Sequence, residues 1–177
     1  MINKFLFILT TLSLSLAASA VTVAIVDSGV DYKHEALEDK MWKNAEEFPF
    51  GFNKRDDDKN GYQDDIYGWN FAGQDSQVID YKYLGTFSDD PEKFYDIQLK
   101  TLKGEETASE KKWVKEKLED EDFVKEITKF SNFIHGTHVS GITTSVEEEA
   151  KIMAIRMIPD ELELPIPGIG AASNNSI

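Results

Sequence analysis

Two of the three histidines stand three residues apart in the stretch FIHGTHVSGIT, Phe133 to Thr143. Imidazole gains and loses a proton near neutral pH, so the pair offers a general base or a metal ligand; the plainer reading is a packed helix start. A helix beginning at His135 is predicted. Gly136 and Ser140 are small enough for close approach to a sheet, and a first-turn imidazole would lie beside free backbone N–H groups. A zinc-protease helix calls for H-E-x-x-H, with histidines four apart and a Glu between them. Neither condition is met, and His34 is the one remaining imidazole, so zinc is not expected.

A second candidate is Asp27 in VAIVDSGVD. The run Val21 to Val26 is apolar and rich in β-branched residues, and it stops abruptly at Asp-Ser-Gly, which predicts a buried strand entering a tight turn. A carboxylate placed there lies at the carboxyl edge of an α/β sheet, where ligands and catalytic groups collect. Taken alone, Asp27 reads equally well as a turn former or helix cap.

The third is the acidic loop DDDKNGYQDD. Asp56, Asp58, Asn60 and Asp64 fall at the first, third, fifth and ninth positions of a D-x-D-x-N-G pattern, with Gly61 at the sharp turn and Tyr62 offering a carbonyl. Oxygen donors at this spacing point to calcium rather than to a merely solvated turn. Tyr67 stands where an EF-hand has its bidentate Glu, so an EF-hand proper is excluded; Asp65 is near enough to help complete the shell.

Several elements must position these groups. KIMAIRMI, Lys151 to Ile158, predicts a second buried strand. Phe48 to Gly73 is rich in Gly, Asn, Asp and aromatics and reads as a structured loop. The Lys/Glu-rich stretch at about 88–130 reads as two or three short helices with solvated charged faces. Pro91 follows polar cap residues there, Thr107 to Glu110 fits a capping box, and Val114 with Leu118, then Phe123 with Ile127 and Phe130, give apolar stripes. Residues 159–177 carry no periodicity and read as an irregular or disordered tail.

Composition narrows the chemistry further. With no cysteine, disulfides, thiolate metal sites and cysteine nucleophiles are excluded. A net charge of −14 argues against a nucleic-acid partner, because phosphate binding depends on Lys and Arg. Nothing calls for an organic cofactor. Lys4, the apolar FLFILTTLSLSL and the Ala-Ala-Ser-Ala at 17–20 have the three parts of a secretory leader, so residues 1–20 are expected to be a signal peptide and the protein periplasmic or extracellular.

VAIVDSGVDYKHEAL, DDDKNGYQDDIYGWNF and HGTHVSGI, in that chain order, resemble the aspartate, acidic-loop and histidine segments of the subtilisin-like serine proteases. The resemblance implies an α/β fold: a three-layer, mostly parallel doubly wound sheet of the subtilisin type, incomplete within this chain and interrupted by the charged helical insertion. It makes 21–158 the N-terminal part of a peptidase domain, Asp27 the orienting aspartate and His135 the general base. His138 and His34 then become structural, packing the helix and its surroundings. VTVAIV is needed as a strand, which removes it as a membrane anchor.

The family's G-T-S-M-A nucleophile segment and its oxyanion asparagine do not occur in the chain, and Ser173 has too few residues after it to support a site. The chain is therefore expected to be the N-terminal part of an exported endopeptidase acting on polypeptides, inactive by itself. The alternatives are a non-catalytic calcium-binding or protein-interaction remnant, and half of a split protease.

Overall fold

The computed structural model describes residues 21–159. The expected signal peptide and nearly all of the expected tail lie outside these residues. Strand β1, Thr22–Asp27, runs parallel to β3, Lys151–Arg156, in register from Thr22↔Lys151 to Asp27↔Arg156. The short β2, Gly68–Asn70, pairs with the other side of β3, giving the order β1-β3-β2. Parallel neighbours need long crossovers, and the sequence supplies one in its helical segment. The register sets Asp27, Arg156 and Asn70 in one row at the carboxyl edge of the sheet.

β3, central in the sheet, is a strand as expected, but it alternates instead of being buried throughout: Ile152, Ala154 and Arg156 are buried and the residues between them half-buried. β1 differs from its expectation. Ile25 is its single buried residue, while Val26 is 62% exposed. The reason is position: β1 is an edge strand in the described sheet, and an apolar β-branched run reads the same at an edge as at a centre.

Three α-helices follow β2. α1, Asp90–Lys103, has Pro91 in its first turn and ends at Gly104, whose φ of 71° lets the chain turn left-handed. α2, Ala108–Leu118, starts with the capping box, Thr107 bonding the Glu110 amide while the Glu110 carboxylate returns to the Thr107 amide. α3, Glu121–Val146, is 26 residues long, about 39 Å at the usual rise. Asp120 caps it by accepting from the amides of Asp122 and Phe123.

The predicted helix start at His135 is thus corrected. The stripe Phe123, Ile127, Phe130 and the histidine segment form one helix, whose buried side is apolar at Phe123 and Ile127 and passes to Asn132, Gly136, Ser140 and Thr144 on the way to the sheet. His135 lies mid-helix, where the backbone N–H groups are already bonded within the helix, so it receives no support from free helix-terminal amides.

Two apolar clusters hold the elements. Ile25, Val30, Leu37, Met41, Val78, Ile152 and Ala154 form the core at the sheet, with Val139 of α3 packed on it. Phe94, Phe123 and Ile127 form a second core inside the helical segment, flanked by Trp113, Leu118 and Phe130. Phe87 packs on α3 beyond the second core, its ring 5.2 Å from Phe130 and 5.8 Å from Phe133 between centroids. The whole is consistent with an incomplete α/β fold of the subtilisin type.

Candidate active site

Asp27 ends β1 at the carboxyl edge, and α3 brings His135 to it. The imidazole Nδ1 lies 2.8 Å from Asp27 Oδ1 and 2.9 Å from Oδ2. A carboxylate can only accept, so the Nδ1–H donates and Nε2 is left with its lone pair. Ser28 anchors the carboxylate, its amide donating to Oδ1 at 2.7 Å and its hydroxyl at 3.1 Å. The Asp27 side chain is 13% exposed and that of His135 is 58% exposed. The arrangement is chemically apt for a base: the orienting carboxylate is sheltered, whereas the imidazole reaches solvent and whatever would give up a proton to Nε2.

Glycine makes this approach feasible. A Cβ on Gly136 would collide with the Gly29 carbonyl and press on the Asp27 side chain. Gly29, at φ 126°, lies against the Val78 carbonyl and has no room for a Cβ either. The aspartate turn therefore sits between α3 and the segment around Val78.

The other two histidines depart from expectation. His138 and His34 are both exposed, not packed. His138 follows His135 by three positions on a helix whose buried side is taken by Gly136, Ser140 and Thr144, so it turns toward solvent. His34 Nδ1 accepts from the Ala36 amide in a surface turn.

In the acidic loop, Asp58 and Asp65 come together with a residue that the motif did not include. Glu47, Asp58 and Asp65 each offer a carboxylate oxygen within 4.8 Å of the others. Asn44 bridges two of them, donating to Asp58 at 2.9 Å and to Asp65 at 2.7 Å, and the Asn60 side chain donates to the same two. The Asn44 hydrogen bond is the main cause holding the Asp58 carboxyl below its usual range.

The remaining expected ligands are placed differently. Asp56 accepts from the amides of Asn60 and Gly61, where Gly61 at φ 96° makes the expected turn. The Tyr62 amide donates to Asn60 Oδ1, and its ring lies 5.1 Å from Trp69. Asp64 is buried and its carboxylate receives the amides of Asn53 and Lys54.

Glu47 is fully buried. Its Oε1 accepts from the amides of Asp57 and Asp58, while Oε2 has no hydrogen-bond partner among the described residues. A buried carboxylate oxygen left so is costly, and three hard oxygen donors around it suit a divalent cation such as calcium. The donor set fits. Sequence reasoning passed over Glu47 and Asn44 because they precede the loop and follow no spacing rule; nothing local marks Glu47 apart from Glu46.

A parallel α/β sheet with an Asp–His pair at its carboxyl edge has the groups a general base needs, and comparison with known proteins gives the family. The model of the Subtilase family matches residues 18–169, most of the sequence, and the chain belongs to that family. It is 42% identical over 64 residues to subtilisin-like protease 1 of Plasmodium falciparum (isolate 3D7), covering 36% of this chain and 9% of that protein. With subtilisin-like protease 1 of Plasmodium vivax it shares 38% identity over 68 residues, 38% of this chain and 11% of the relative. The matches thus span about a tenth of the relatives' length.

Proposed function

We propose that this chain carries the aspartate–histidine part of a subtilisin-like serine endopeptidase site. His135 acts as general base through Nε2, and Asp27 holds the Nδ1–H tautomer and stabilises the imidazolium once a proton arrives. The nucleophilic serine and oxyanion donors come from a segment outside these residues, so the 177-residue chain alone does not cleave peptides. The observation that carries the reading is the contact of Asp27 with His135 Nδ1, which leaves Nε2 solvent-facing.

The substrate is polypeptide, as expected of the family, and the leader-like residues 1–20 support export. Among the described residues no helix is long and apolar enough to cross a membrane. Glu47, Asp58 and Asp65 would hold a calcium ion, with Asp56 and Asn60 shaping the loop around them. When bound, it neutralises three clustered carboxylates and ties the loop to the folded state.

The test is labelling by a fluorophosphonate serine probe after the chain is combined with the serine-bearing segment encoded downstream or by a separate gene. Labelling is expected in the combination, absent from this chain alone, and lost in His135→Ala. Labelling that survives His135→Ala sinks the reading.

A further inference from the structure

Between the acidic loop and α1 the chain crosses the aspartate turn, and its contacts there are unusually direct. The Val78 carbonyl accepts from the Val30 amide at 3.1 Å and lies against Gly29. The Gln77 carbonyl accepts from Arg156 Nη1 at 3.2 Å, and Arg156 is the β3 partner of Asp27. Tyr81 completes the crossing: its hydroxyl donates to Asp31 Oδ1 at 2.7 Å. Asp31 in turn gives its amide to Thr137 Oγ1 at 2.9 Å, and Thr137 is two residues beyond His135 on α3. Residues 77–81 therefore fasten the three elements that meet at the pair: the β1 turn, the end of β3 and the His135 segment of α3.

Tyr81 is held firmly enough to transmit this. Tyr32 meets its ring edge-on at 5.8 Å and itself stacks on Tyr67 at 4.3 Å, while Lys33 Nζ lies 4.7 Å from the Tyr81 ring centre. Burial and the Asp31 carboxylate both push the Tyr81 phenol well above its ordinary range, so it remains a donor at any working pH. Val78 and Ile79 beside it are buried.

We propose that Tyr81 is a positioning residue for the Asp27–His135 pair, acting through Asp31 and Thr137. This rests on the reading of that pair as carboxylate and base. The link fixes the turn after Asp27 against α3 at two successive residues, Gly136 by close packing and Thr137 by hydrogen bond. Catalytic pairs tolerate little displacement, since misplacement by about 1 Å can cost 100-fold. Removing the hydroxyl leaves the Asp31 carboxylate held only by its own turn, where Oδ1 accepts from the Lys33 amide at 2.9 Å, so its tie to residues 77–81 is lost, Thr137 is loosened and the imidazole leaves the Asp27 carboxylate for part of the time.

The test is ¹⁵N NMR of the histidine ring in the intact chain at about pH 9, where an imidazole is neutral and the tautomers are distinct. Wild type is expected to show His135 as Nδ1–H, because the carboxylate accepts that proton, whereas free imidazole in water favours Nε2–H. Tyr81→Phe should keep the fold by far-UV circular dichroism and raise the Nε2–H share several-fold. Thr137→Val, which cuts the other end of the link, should do the same and decides the matter should the Tyr81 variant not fold. Thr86→Val removes a nearby hydrogen bond to the Tyr83 carbonyl that does not reach Asp31, and should leave the ring unchanged.

A folded Tyr81→Phe, or failing that a folded Thr137→Val, with the wild-type tautomer overturns the proposal. Asp27→Ala, which removes every acceptor for Nδ1–H, tests the underlying pair separately. If it leaves the His135 tautomer untouched, the pair reading fails; if it abolishes the Nδ1–H preference while Tyr81→Phe does not reduce it, the positioning role alone fails.

Discussion

Gly136→Ala and Gly141→Ala make the same chemical change five residues apart on one helix, and the structure assigns them different outcomes. Alanine in a helix interior is favoured over glycine by about 1 kcal/mol, so each variant gains that much from the backbone. At Gly141 nothing lies within 4 Å of the added methyl, and the gain stands alone. At Gly136 the methyl meets the Gly29 carbonyl, a backbone atom that cannot rotate away, and also the Asp27 side chain. Forcing a methyl into such a contact costs about 1–3 kcal/mol through displacement of the packed elements.

Gly136→Ala is accordingly expected to lie about 1–3 kcal/mol below Gly141→Ala, and near or below wild type. Urea unfolding followed by circular dichroism measures both variants. At a slope of about 1–3 kcal/mol per molar, such differences move the midpoint visibly. The displacement should also part His135 from Asp27, read as loss of the Nδ1–H tautomer. Equal stability of the two variants, with the tautomer intact in Gly136→Ala, would refute the claim that glycine is what lets α3 reach the aspartate turn.

Other consequences are as specific. Calcium at 100 times its dissociation constant should add about 2.7 kcal/mol to stability; chelation should lower the melting temperature correspondingly, and Glu47→Gln should shrink the calcium-dependent shift. A melting temperature indifferent to both chelator and calcium counts against the site. In metal-free protein, the Asp58 carboxyl is held below its ordinary 3.8 chiefly by Asn44, so its contribution is present above that value and lost as the pH falls below it. Following the Asn44 side-chain amide by NMR through acid should show this, and Asn44→Ala should move the Asp58 titration upward. Thr107→Ala breaks the capping box and should weaken the start of α2 by about 1 kcal/mol, seen as faster amide exchange there with little change around His135.

The features legible in the amino-acid sequence are those whose physics is local. The capping box at Thr107, Pro91 in the first turn of α1 and the turn at Gly61 depend on neighbours within a few positions and take the predicted form, whereas Asp89 at the start of α1 makes no side-chain cap bond. KIMAIR reads as a strand and forms one, although its alternating burial follows from the pleat and from packing that its apolar run does not encode. Order of motifs along the chain identified the family, since the aspartate, acidic-loop and histidine segments each constrain their own surroundings.

Tertiary structure decided what depends on distant partners. Whether β1 is central or at an edge is a property of its neighbours, which the strand's own residues do not encode. α3 begins at Glu121, with Phe123 and Ile127 packed in the core of the helical segment and the small side of Gly136, Ser140 and Thr144 set toward the sheet, overriding a local reading that started the helix at those small residues. Glu47 joins Asp58 and Asp65 across a turn of the chain, and His138 faces water because Gly136, Ser140 and Thr144 occupy the packed side. Asp27 and His135 carry chemistry suited to each other, but their meeting at 2.8 Å is the work of a close glycine contact and a parallel register, both of which exist only once the chain is folded.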